Sequence, residues 1–474
     1  MPAALSRAAC VFLLLGGGGA VYDPEGHIES ARLYGNFHAL AYFYLDLVVG
    51  TPPQRVSVIA DTGSSLIAFP CSGCQHCGKH IDPTFNVDSS STAKWLPCGS
   101  GCGGSCKKKY CYYSQAYLEG SSFKGYYFQD WVALGDGLQR NPPVYAKMGC
   151  HQTEEKLFYT QKANGIMGMA PTERTFLSTL FEDRKNVDGK IFAMCLGEWG
   201  GRMTVGGWNT SYHTTGITWV PMDTKAGRLT VTPSELKVDG IVLSKSFGRT
   251  FIDSGTTYTY MKTDNFMKLK GAIDNYCDAH NQCGGTKVGR CWNLKSPQDL
   301  DNFPVASWIL AGKEYQWTAK AYLHHNGKSY CLSFADDGRN AGTTLGASWM
   351  QHHDHIFDLK RHKFGFAAAN CPFHQDRPNH EVFVPLSGGN SSSTHSRTVE
   401  DLESVNPPEE STFWWWTVCE VVGLVSLTFF ALFLVRRCQN VERYSKVSYT
   451  SPPIPNRAPQ HQGIRIVGRE SEDN

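Results

Sequence analysis

The chain has 474 residues and a formal net charge of +2, with 12% aromatic residues and 47 glycines. This length accommodates two or three domains. The near-neutral charge and the lack of a long basic tract give no indication of a nucleic-acid partner. The composition is more typical of a turn-rich β protein than of a helical bundle.

The amino-terminal segment predicts entry into the secretory pathway. Residues 1–20 carry Arg7, then a short apolar run and then small residues, as a signal peptide does. An oxidising lumen would also expose two glycosylation sequons, at Asn209 and Asn390.

Residues 21–40 form a short polar lead before a long patterned region. Apolar residues alternate with Gly and Asn punctuation through residues 41–371, which predicts a β-rich region. Two stretches, 174–186 and 263–276, show helical spacing and predict short helices. Because the lead is short and holds few basic residues, activity is expected without removal of a propeptide.

The carboxyl-terminal part predicts a membrane anchor. Residues 373–412 are polar and predict a flexible stalk. The next 23 residues, 413–435, are mostly apolar and are followed by Arg436 and Arg437. This pattern predicts a single transmembrane helix, with residues 436–474 as a cytosolic tail.

Two short polar turns interrupt apolar runs in the two halves of the chain. The first reads "VIADTGSS" around Asp61, and the second reads "FIDSGTT" around Asp253, 192 residues later. A single turn of this kind predicts no more than a polar hairpin loop. The repeat is significant because the flanking small residues stand at equal offsets: Thr62, Gly63, Ser64, Ser254, Gly255 and Thr256.

A pair of such turns has a chemical use. Two carboxylates brought face to face share one proton and hold one water, because like charges about 3 Å apart cannot both ionise. The ionised Asp then takes a proton from the water while the neutral Asp donates to a carbonyl oxygen. The glycines let the carboxylates approach each other, Ser64 and Thr256 reach the outer oxygens, and Thr62 and Ser254 lock the two turns together.

The sequence resembles the pepsin family of aspartic proteases from about Tyr42 to Cys371. The stretches that carry the resemblance, besides the two turns, are "FYLDLVVGTPPQRV", "NGIMGMA", "VGGWNTSYHTTGITWVPM" and "TTLGASWMQHHDHIFDLKRHKFGFA". The resemblance implies a mostly β, bilobal fold with a central cleft, an amino-terminal lobe over 41–215 and a carboxyl-terminal lobe over 216–372. It implies an aspartic endopeptidase without cofactor that acts on proteins or peptides, with Asp61 and Asp253 as the catalytic residues.

The stretch "YYSQAYLEGSSFKGYYF", at 112–128, resembles the flap hairpin that covers the cleft in this family. The substrate-binding residues implied are Tyr117, Glu119, Gly120, Ser121 and, beside the second turn, Thr257. The usual tryptophan partner of the flap tyrosine is Ala68 here, so Tyr117 is expected to find another partner or to be mobile. Glu119 is expected to favour a basic substrate side chain upstream of the scissile bond, the alternative being a solvated flap residue.

Seven cysteines fall within residues 71–111, next to His76 and His80. The spacing admits a zinc site, but an oxidising lumen favours disulfides, so no metal is predicted. Because seven is odd, one partner lies outside the insert, and Cys150 is the nearest candidate. The connectivity inside the insert stays open.

The family resemblance also implies disulfides elsewhere. Cys291 and Cys331 match the second-lobe bridge common in the family, and the second implied pair resembles a bridge of membrane-bound members. This second implied pair is Cys195 with Cys371. The pair that then remains is Cys277 with Cys283.

The cysteine-rich insert resembles that of nepenthesin-type proteases. Together with the signal, the flap glutamate and the anchor, it is most similar to the plasmepsin V group of apicomplexan proteases. That resemblance implies processing of secretory or exported proteins in the endoplasmic reticulum, at a motif with an upstream Arg. The β-secretase type, in the Golgi, endosome or cell surface, is the alternative. An inactive protease scaffold that binds proteins and a cysteine-rich adhesion or metal module are further alternatives.

Overall fold

The computed structural model describes residues 21–22, 28–99, 101–117, 119–137, 141–183, 187, 189–339, 341–375, 377 and 468–469. The predicted signal peptide, the transmembrane segment 413–435, Asn390 and most of the predicted stalk and tail lie outside these residues. Within the described ranges, no helix has the length and apolar character needed to cross a membrane.

Strands dominate the first half of the chain, and they are joined by short turns. Their bounds are β1 Val21–Tyr22, β2 Glu29–Asn36, β3 Tyr42–Val49, β4 Gln54–Asp61, β5 Ile67–Pro70, β6 Lys94–Trp95, β7 Ser105–Lys107, β8 Tyr110–Tyr117, β9 Ser122–Leu134, β10 Val144–Glu155, β11 Gly165–Gly168, β12 Ile191–Leu196, β13 Trp199–Val205 and β14 Trp208–Asn209. Most of them join one large sheet, in the order β2-β3-β4-β11-β5-β10-β9-β8.

The second half is built in the same way from shorter strands. Their bounds are β15 Thr218–Pro221, β16 Thr230–Val231, β17 Pro233–Val238, β18 Ile241–Ser244, β19 Thr250–Ile252, β20 Thr259–Met261, β21 Gly285–Val288, β22 Cys291–Leu294, β23 Ala306–Leu310, β24 Lys313–Trp317, β25 Leu323–Asn326, β26 Ser329–Leu332, β27 Phe334–Asp336, β28 Thr343–Leu345, β29 His353–Asp358 and β30 Lys363–Ala368. Three smaller sheets result, in the orders β16-β19-β28-β20-β27, β18-β17-β23-β24 and β21-β22-β26-β25. The mostly β architecture expected from the sequence is observed.

The described helices are few and short: α1 Leu157–Thr160, α2 Phe176–Glu182, α3 Thr263–Ala279, α4 Ala319–Tyr322 and α5 Ala347–Met350. Helices α2 and α3 confirm the two predicted from helical spacing. In α3 the buried residues Phe266, Leu269 and Ile273 recur every three or four positions, so they form one face against the second lobe.

The two halves share a sheet. Strand β12 of the first half pairs antiparallel with β29 of the second, from Ile191 opposite Asp358 to Leu196 opposite His353. The sheet continues on either side in the order β15-β30-β29-β12-β13-β2. Because strands of both halves of the chain are joined in one ladder, the two Asp turns have a common base.

The polar lead predicted before the lobes is in fact part of this sheet. Residues 29–36 form β2, which pairs with β13 and β3, and its Ala31 and Leu33 side chains are fully buried. The sequence pattern was misleading here because Glu29 and Asn36, which are polar, are buried as well.

The lobe also extends beyond the predicted start of the stalk at residue 373. The His374 amide donates to the Trp199 carbonyl at 3.0 Å. The Arg377 guanidinium binds Asp46 at 2.6 Å and Asp82 at 2.9 Å. Asp46 and Asp82 are both buried, and burying a carboxylate is unfavourable unless it is paired with a positive charge. Arg377 provides that positive charge.

The fourteen cysteines within the described ranges form seven disulfides. The pairs are Cys71–Cys150, Cys74–Cys77, Cys98–Cys106, Cys102–Cys111, Cys195–Cys371, Cys277–Cys283 and Cys291–Cys331. Cys150 therefore takes the odd cysteine of the insert, and the three pairs implied by the family resemblance are present. Among the described residues, no group of three or more His, Cys, Asp or Glu side chains is placed to hold a metal ion.

A final two-residue strand, β31 Gly468–Arg469, pairs with β8 at Tyr117 and Ala116. A tail on the far side of the predicted membrane span could not form this ladder, so the two placements of the tail exclude each other.

Candidate active site

The backbone places the two aspartates in equivalent positions. Strand β4 ends at Asp61, and β11 runs parallel to it, so that the Met169 amide donates to the Asp61 carbonyl at 2.7 Å. In the second lobe Asp253 directly follows β19, with β28 parallel to that strand, and the Asp253 amide donates to the Leu345 carbonyl at 3.0 Å. Each turn therefore leaves a strand end and is held by a neighbouring parallel strand.

Each carboxylate is held by its own turn through both oxygens. Asp61 Oδ1 accepts from the Gly63 amide at 2.8 Å, and Asp253 Oδ1 accepts from the Gly255 amide at 3.0 Å. The second oxygens accept from hydroxyl groups, of Ser64 for Asp61 and of Thr256 for Asp253. Both aspartates are fully buried, so these bonds fix the orientation of each carboxylate.

Thr62 and Ser254 join the two turns. The Thr62 amide donates to Ser254 Oγ at 3.0 Å, and the Ser254 amide donates to Thr62 Oγ1 at 2.9 Å. Each hydroxyl also donates across the lobe boundary, to the carbonyls of Ile252 and Ala60. These four buried bonds hold the dyad turns in register.

Glycine is required next to each aspartate. A Cβ atom on Gly63 would lie 2.5 Å from the Asp253 carboxyl group, and one on Gly255 would overlap the carboxyl group of Asp61. The backbone of each turn thus touches the opposite carboxylate, and any larger residue would push the dyad apart.

The environment makes simultaneous ionisation of the dyad unfavourable. Burial and the neighbouring Asp253 raise the pKa of Asp61 well above its ordinary value. Burial also raises the pKa of Asp253, but the Arg228 guanidinium opposes this effect. The pair therefore favours a single shared proton, and the field of Arg228 favours that proton on Asp61.

Arg228 was not identified from the sequence. Its guanidinium donates to the Gly63 carbonyl at 2.5 Å and lies 5.1 Å from the ring centroid of Phe251. It lines a cavity of about 200 Å³ beside the dyad, together with Ser65, Gln115 and Thr172. A lone arginine before an apolar strand carries no recognisable motif, so only the folded arrangement reveals it.

The flap tyrosine packs against phenylalanine rings. Tyr117 is buried, and its ring centroid lies 5.0 Å from that of Phe158 and 5.7 Å from that of Phe123. Phe158 belongs to α1, which directly follows β10. Of the two expectations for Tyr117, the structure thus shows an alternative partner in place of the tryptophan.

The flap tip is a tight turn that carries Glu119. The Tyr117 amide donates to the Ser121 carbonyl and the Gly120 amide to the Tyr117 carbonyl, both at 2.9 Å. Gly120 has a φ of +88°, which favours glycine. Burial raises the pKa of Glu119, an effect that Ser121 and, more weakly, Lys156 oppose.

Two other predicted residues, Thr257 and Asn209, lie apart from the flap tip. Thr257 directs its hydroxyl to the Ala41 carbonyl at 2.7 Å, so this hydroxyl supports the lobe boundary. The glycosylation candidate Asn209 is half-buried, and its side chain accepts from the Ser211 amide at 2.9 Å. Leu118, beside Glu119, is not among the described residues.

Comparisons with known proteins agree with this geometry. The model of the family described as eukaryotic aspartyl protease matches residues 42–369. Aspartic protease 5 of Toxoplasma gondii is 33% identical over 413 residues, which cover 74% of this chain and 39% of that protein. Plasmepsin V of Plasmodium falciparum is 26% identical over 470 residues, which cover 75% and 77%.

Nepenthesin-1 of Nepenthes gracilis is 23% identical over 357 residues, which cover 69% of this chain and 78% of that protein. The chain thus matches about two fifths of the length of Aspartic protease 5, but more than three quarters of plasmepsin V and of nepenthesin-1. Since the family model matches more than half of the chain, the chain belongs to the eukaryotic aspartyl proteases, a family of aspartic-type endopeptidases.

Proposed function

We propose that this chain is an active aspartic endopeptidase in which Asp61 and Asp253 activate a water molecule. The observation that carries the proposal is the symmetric dyad, in which an amide and a hydroxyl bind each buried carboxylate. An inactive scaffold would have no need to keep both sets of bonds around two buried acids.

The proposed reaction follows from the shared proton. Ionised Asp253 takes a proton from the water as the water oxygen attacks the peptide carbonyl carbon. Neutral Asp61 donates its proton to the carbonyl oxygen, so that a neutral tetrahedral diol forms without a free oxyanion. The diol then collapses as Asp253 gives its proton to the leaving nitrogen and Asp61 recovers one from the diol hydroxyl.

We also propose the compartment and topology. Seven disulfides among the described residues favour an oxidising compartment. With the predicted signal peptide and the apolar segment 413–435, they support a single-pass protein of the secretory-pathway membrane, with a lumenal catalytic domain. This topology requires that the pairing of β31 with β8 does not form in the membrane-bound protein. The likeness to plasmepsin V favours the endoplasmic reticulum over later compartments.

The proposed substrates are secretory or exported proteins with an Arg upstream of the scissile bond. Glu119 supports this specificity, because it is a partly buried carboxylate on the flap. A guanidinium would stabilise the charged form of Glu119 through a charge-assisted hydrogen bond.

One observation favours a broader specificity, as in a β-secretase-like processing protease. The Lys156 ammonium group lies against Gly120 of the flap and weakly opposes the rise that burial causes in the pKa of the adjacent Glu119. Glu119 therefore has a cation of its own chain nearby and does not depend on a substrate Arg.

The test uses the full-length chain in detergent and two peptides that differ only three residues before the scissile bond. We expect kcat/KM for the peptide with Arg to be at least about tenfold higher than for the peptide with Ala. One charge-assisted hydrogen bond is strong enough to give a ratio of this size. Glu119→Gln should remove the preference and retain cleavage, and Asp61→Asn, which keeps the shape of the dyad, should abolish cleavage.

Equal cleavage of both peptides would reject the Arg specificity and support the broader protease. No cleavage of either peptide between pH 4 and 7.5 would reject the catalytic proposal and favour the inactive scaffold.

A further inference from the structure

The outer face of the flap hairpin carries an aromatic groove with a volume of about 680 Å³. Its floor consists of Trp95, Tyr110, Tyr112 and Tyr126, which are all half-buried. The ring centroids of Tyr112 and Tyr126 are 5.3 Å apart, and Trp95 lies 6.3 Å from Tyr110 and 6.5 Å from Tyr126. We call these four residues and the lysines around them the flap-back groove.

Strand alternation places this groove on the face opposite the cleft. Along β8, Tyr110 and Tyr112 are partly exposed, whereas Tyr113 and Tyr117 are buried. Successive side chains of a strand point to opposite faces, so Tyr117 faces inward and the groove faces outward.

Three exposed lysines surround the groove: Lys107, Lys108 and Lys124. The Lys107 ammonium group lies 4.5 Å from the ring centroid of Tyr112. Among the described residues, none of these lysines forms an ion pair, and Glu155 is the one acidic residue that lines the groove. The groove is therefore positive and has an apolar floor.

The chain adopts an unfavourable backbone at the turn that carries one of these lysines, Lys108. The β7–β8 turn consists of Lys108 and Lys109, with φ angles of +49° and +64°. Positive φ at both positions is the pattern of a type I′ turn, which strongly prefers Asn-Gly. Strained residues of this kind are often found at functional sites.

We propose that the flap-back groove is an exosite for an acidic segment of the protein substrate, distal to the scissile bond. The inference rests on the proposed function. Glu and Asp carboxylates would pair with the lysines, while the peptide backbone and apolar side chains pack on the aromatic floor. The charge of the groove fits an acidic segment, and its place on the flap hairpin puts it within reach of a chain bound in the cleft.

The distances permit this arrangement. Tyr112 lies five residues before Tyr117 on the same strand, a separation of about 16 Å. A substrate must also pass around the hairpin edge, and about ten extended residues span roughly 33 Å. An acidic segment about ten residues from the cleavage site therefore reaches the groove.

The test compares two extensions on one cleavable peptide. A ten-residue Gly/Ser linker joins the peptide, at either end, to Glu-Glu-Asp-Glu or to the isosteric Gln-Gln-Asn-Gln. With the full-length chain at low salt, we expect the acidic extension at one of the two ends to lower KM about tenfold, with kcat unchanged. About 0.5 M NaCl should remove this advantage by screening.

The strained turn supplies a variant that should not unfold the protein. Lys108→Asn/Lys109→Gly introduces the preferred turn sequence, so we expect Tm to rise while the KM advantage of the acidic extension is lost. The matched control, Lys313→Gln/Lys328→Gln, removes two exposed lysines of the second lobe and should keep the advantage. All these proteins should cleave the unextended peptide equally.

Binding of a labelled acidic segment to full-length Asp61→Asn protein is measured separately, because this readout does not need catalysis. Binding that is lost in the turn variant supports the exosite even if no peptide is cleaved, which would reject only the proposed function. Equal KM values for both extensions at both ends would overturn the exosite. Retention on phosphatidylserine vesicles, without any effect of the acidic peptide, would also overturn it in favour of a membrane contact.

Discussion

At the scale of single residues, Arg228 distinguishes the two aspartates. Its guanidinium binds the carbonyl of Gly63, and the Cα of this glycine lies against the carboxyl group of Asp253. A positive charge so close to the dyad favours the ionised form of Asp253, as its effect on the pKa of that group indicates. The amides and hydroxyls are arranged alike around both aspartates, so Arg228 introduces an asymmetry.

Replacing Arg228 should therefore change the pH dependence of catalysis. Arg228→Gln removes the charge that opposes the burial-raised pKa of Asp253, so protonation of the dyad should begin at higher pH. We expect the acidic limb of the kcat/KM profile to move to higher pH. Arg228→Lys keeps the charge, so the acidic limb of its kcat/KM profile should lie close to that of the unmodified protein.

Lys225→Gln is the matched control, because Lys225 is an exposed cation three residues earlier in the same loop. It should leave the profile unchanged. An acidic limb at the same pH in Arg228→Gln and the unmodified protein would contradict this role of Arg228.

At the scale of elements, the flap is supported by phenylalanine rings in place of the usual tryptophan. Tyr117 packs on Phe158 and Phe123, and the Phe123 ring stacks on His151 at 4.3 Å. The His151 Nδ1 is 2.8 Å from a carboxylate oxygen of Glu154, whose other oxygen lies 2.9 Å from His80. These contacts connect the flap to the base of the cysteine-rich insert.

Removal of the Phe158 ring should release the flap. Phe158→Ala leaves a cavity beneath Tyr117, so we expect faster amide hydrogen exchange in β8 and β9 and a lower kcat/KM. Loss of this buried ring should also cost about 3 kcal/mol of unfolding free energy. Phe158→Leu fills most of the space and should show smaller effects. Unchanged exchange in β8 and β9 of the Ala variant would show that Phe158 does not hold the flap.

The sequence predicted local chemistry better than it predicted which segments pack. The repeated Asp turns place their hydroxyls and glycines where the structure has them, because the offsets within a four-residue turn leave little freedom. Strand β2 was not predicted, because the polar residues Glu29 and Asn36 are buried beside Ala31 and Leu33 and disrupt the apolar pattern of a buried strand. Phe158 and Arg228 were missed because their contacts bring together residues far apart in sequence.

At the scale of the whole molecule, buried ionisable groups set opposing pH dependences. Among the described residues, burial lowers the pKa of six histidines, to about 4 for two of them, so these groups favour the neutral form in the folded chain: His151, His324, His352, His353, His355 and His374. The unfolded chain binds protons at these histidines below about pH 6.5, so they reduce stability on acidification. Glu29 acts in the opposite direction, since burial and, to a smaller extent, Asp183 raise its pKa to about 7.

Glu29→Gln should separate these two contributions. Both carboxylate oxygens of Glu29 are buried without a hydrogen-bond partner among the described residues, so the ionised form is unfavourable. The free energy that Glu29 contributes is fully present below its unfolded pKa of 4.5 and is lost as the pH rises through about 7.

We therefore expect the Gln variant to be more stable than the unmodified protein at pH 8, by up to about 3 kcal/mol, and equally stable near pH 4.5. Thermal unfolding between pH 8 and 4.5 measures this, and the Tm of the variant should fall more steeply on acidification because only the histidines and the other buried acids then contribute. A constant difference in Tm across this range would mean that Glu29 does not titrate in the folded chain. A Tm of the variant that rises on acidification would mean that the other buried acids, among them Asp46, Asp354 and the dyad, outweigh the histidines in setting the acid stability of the molecule.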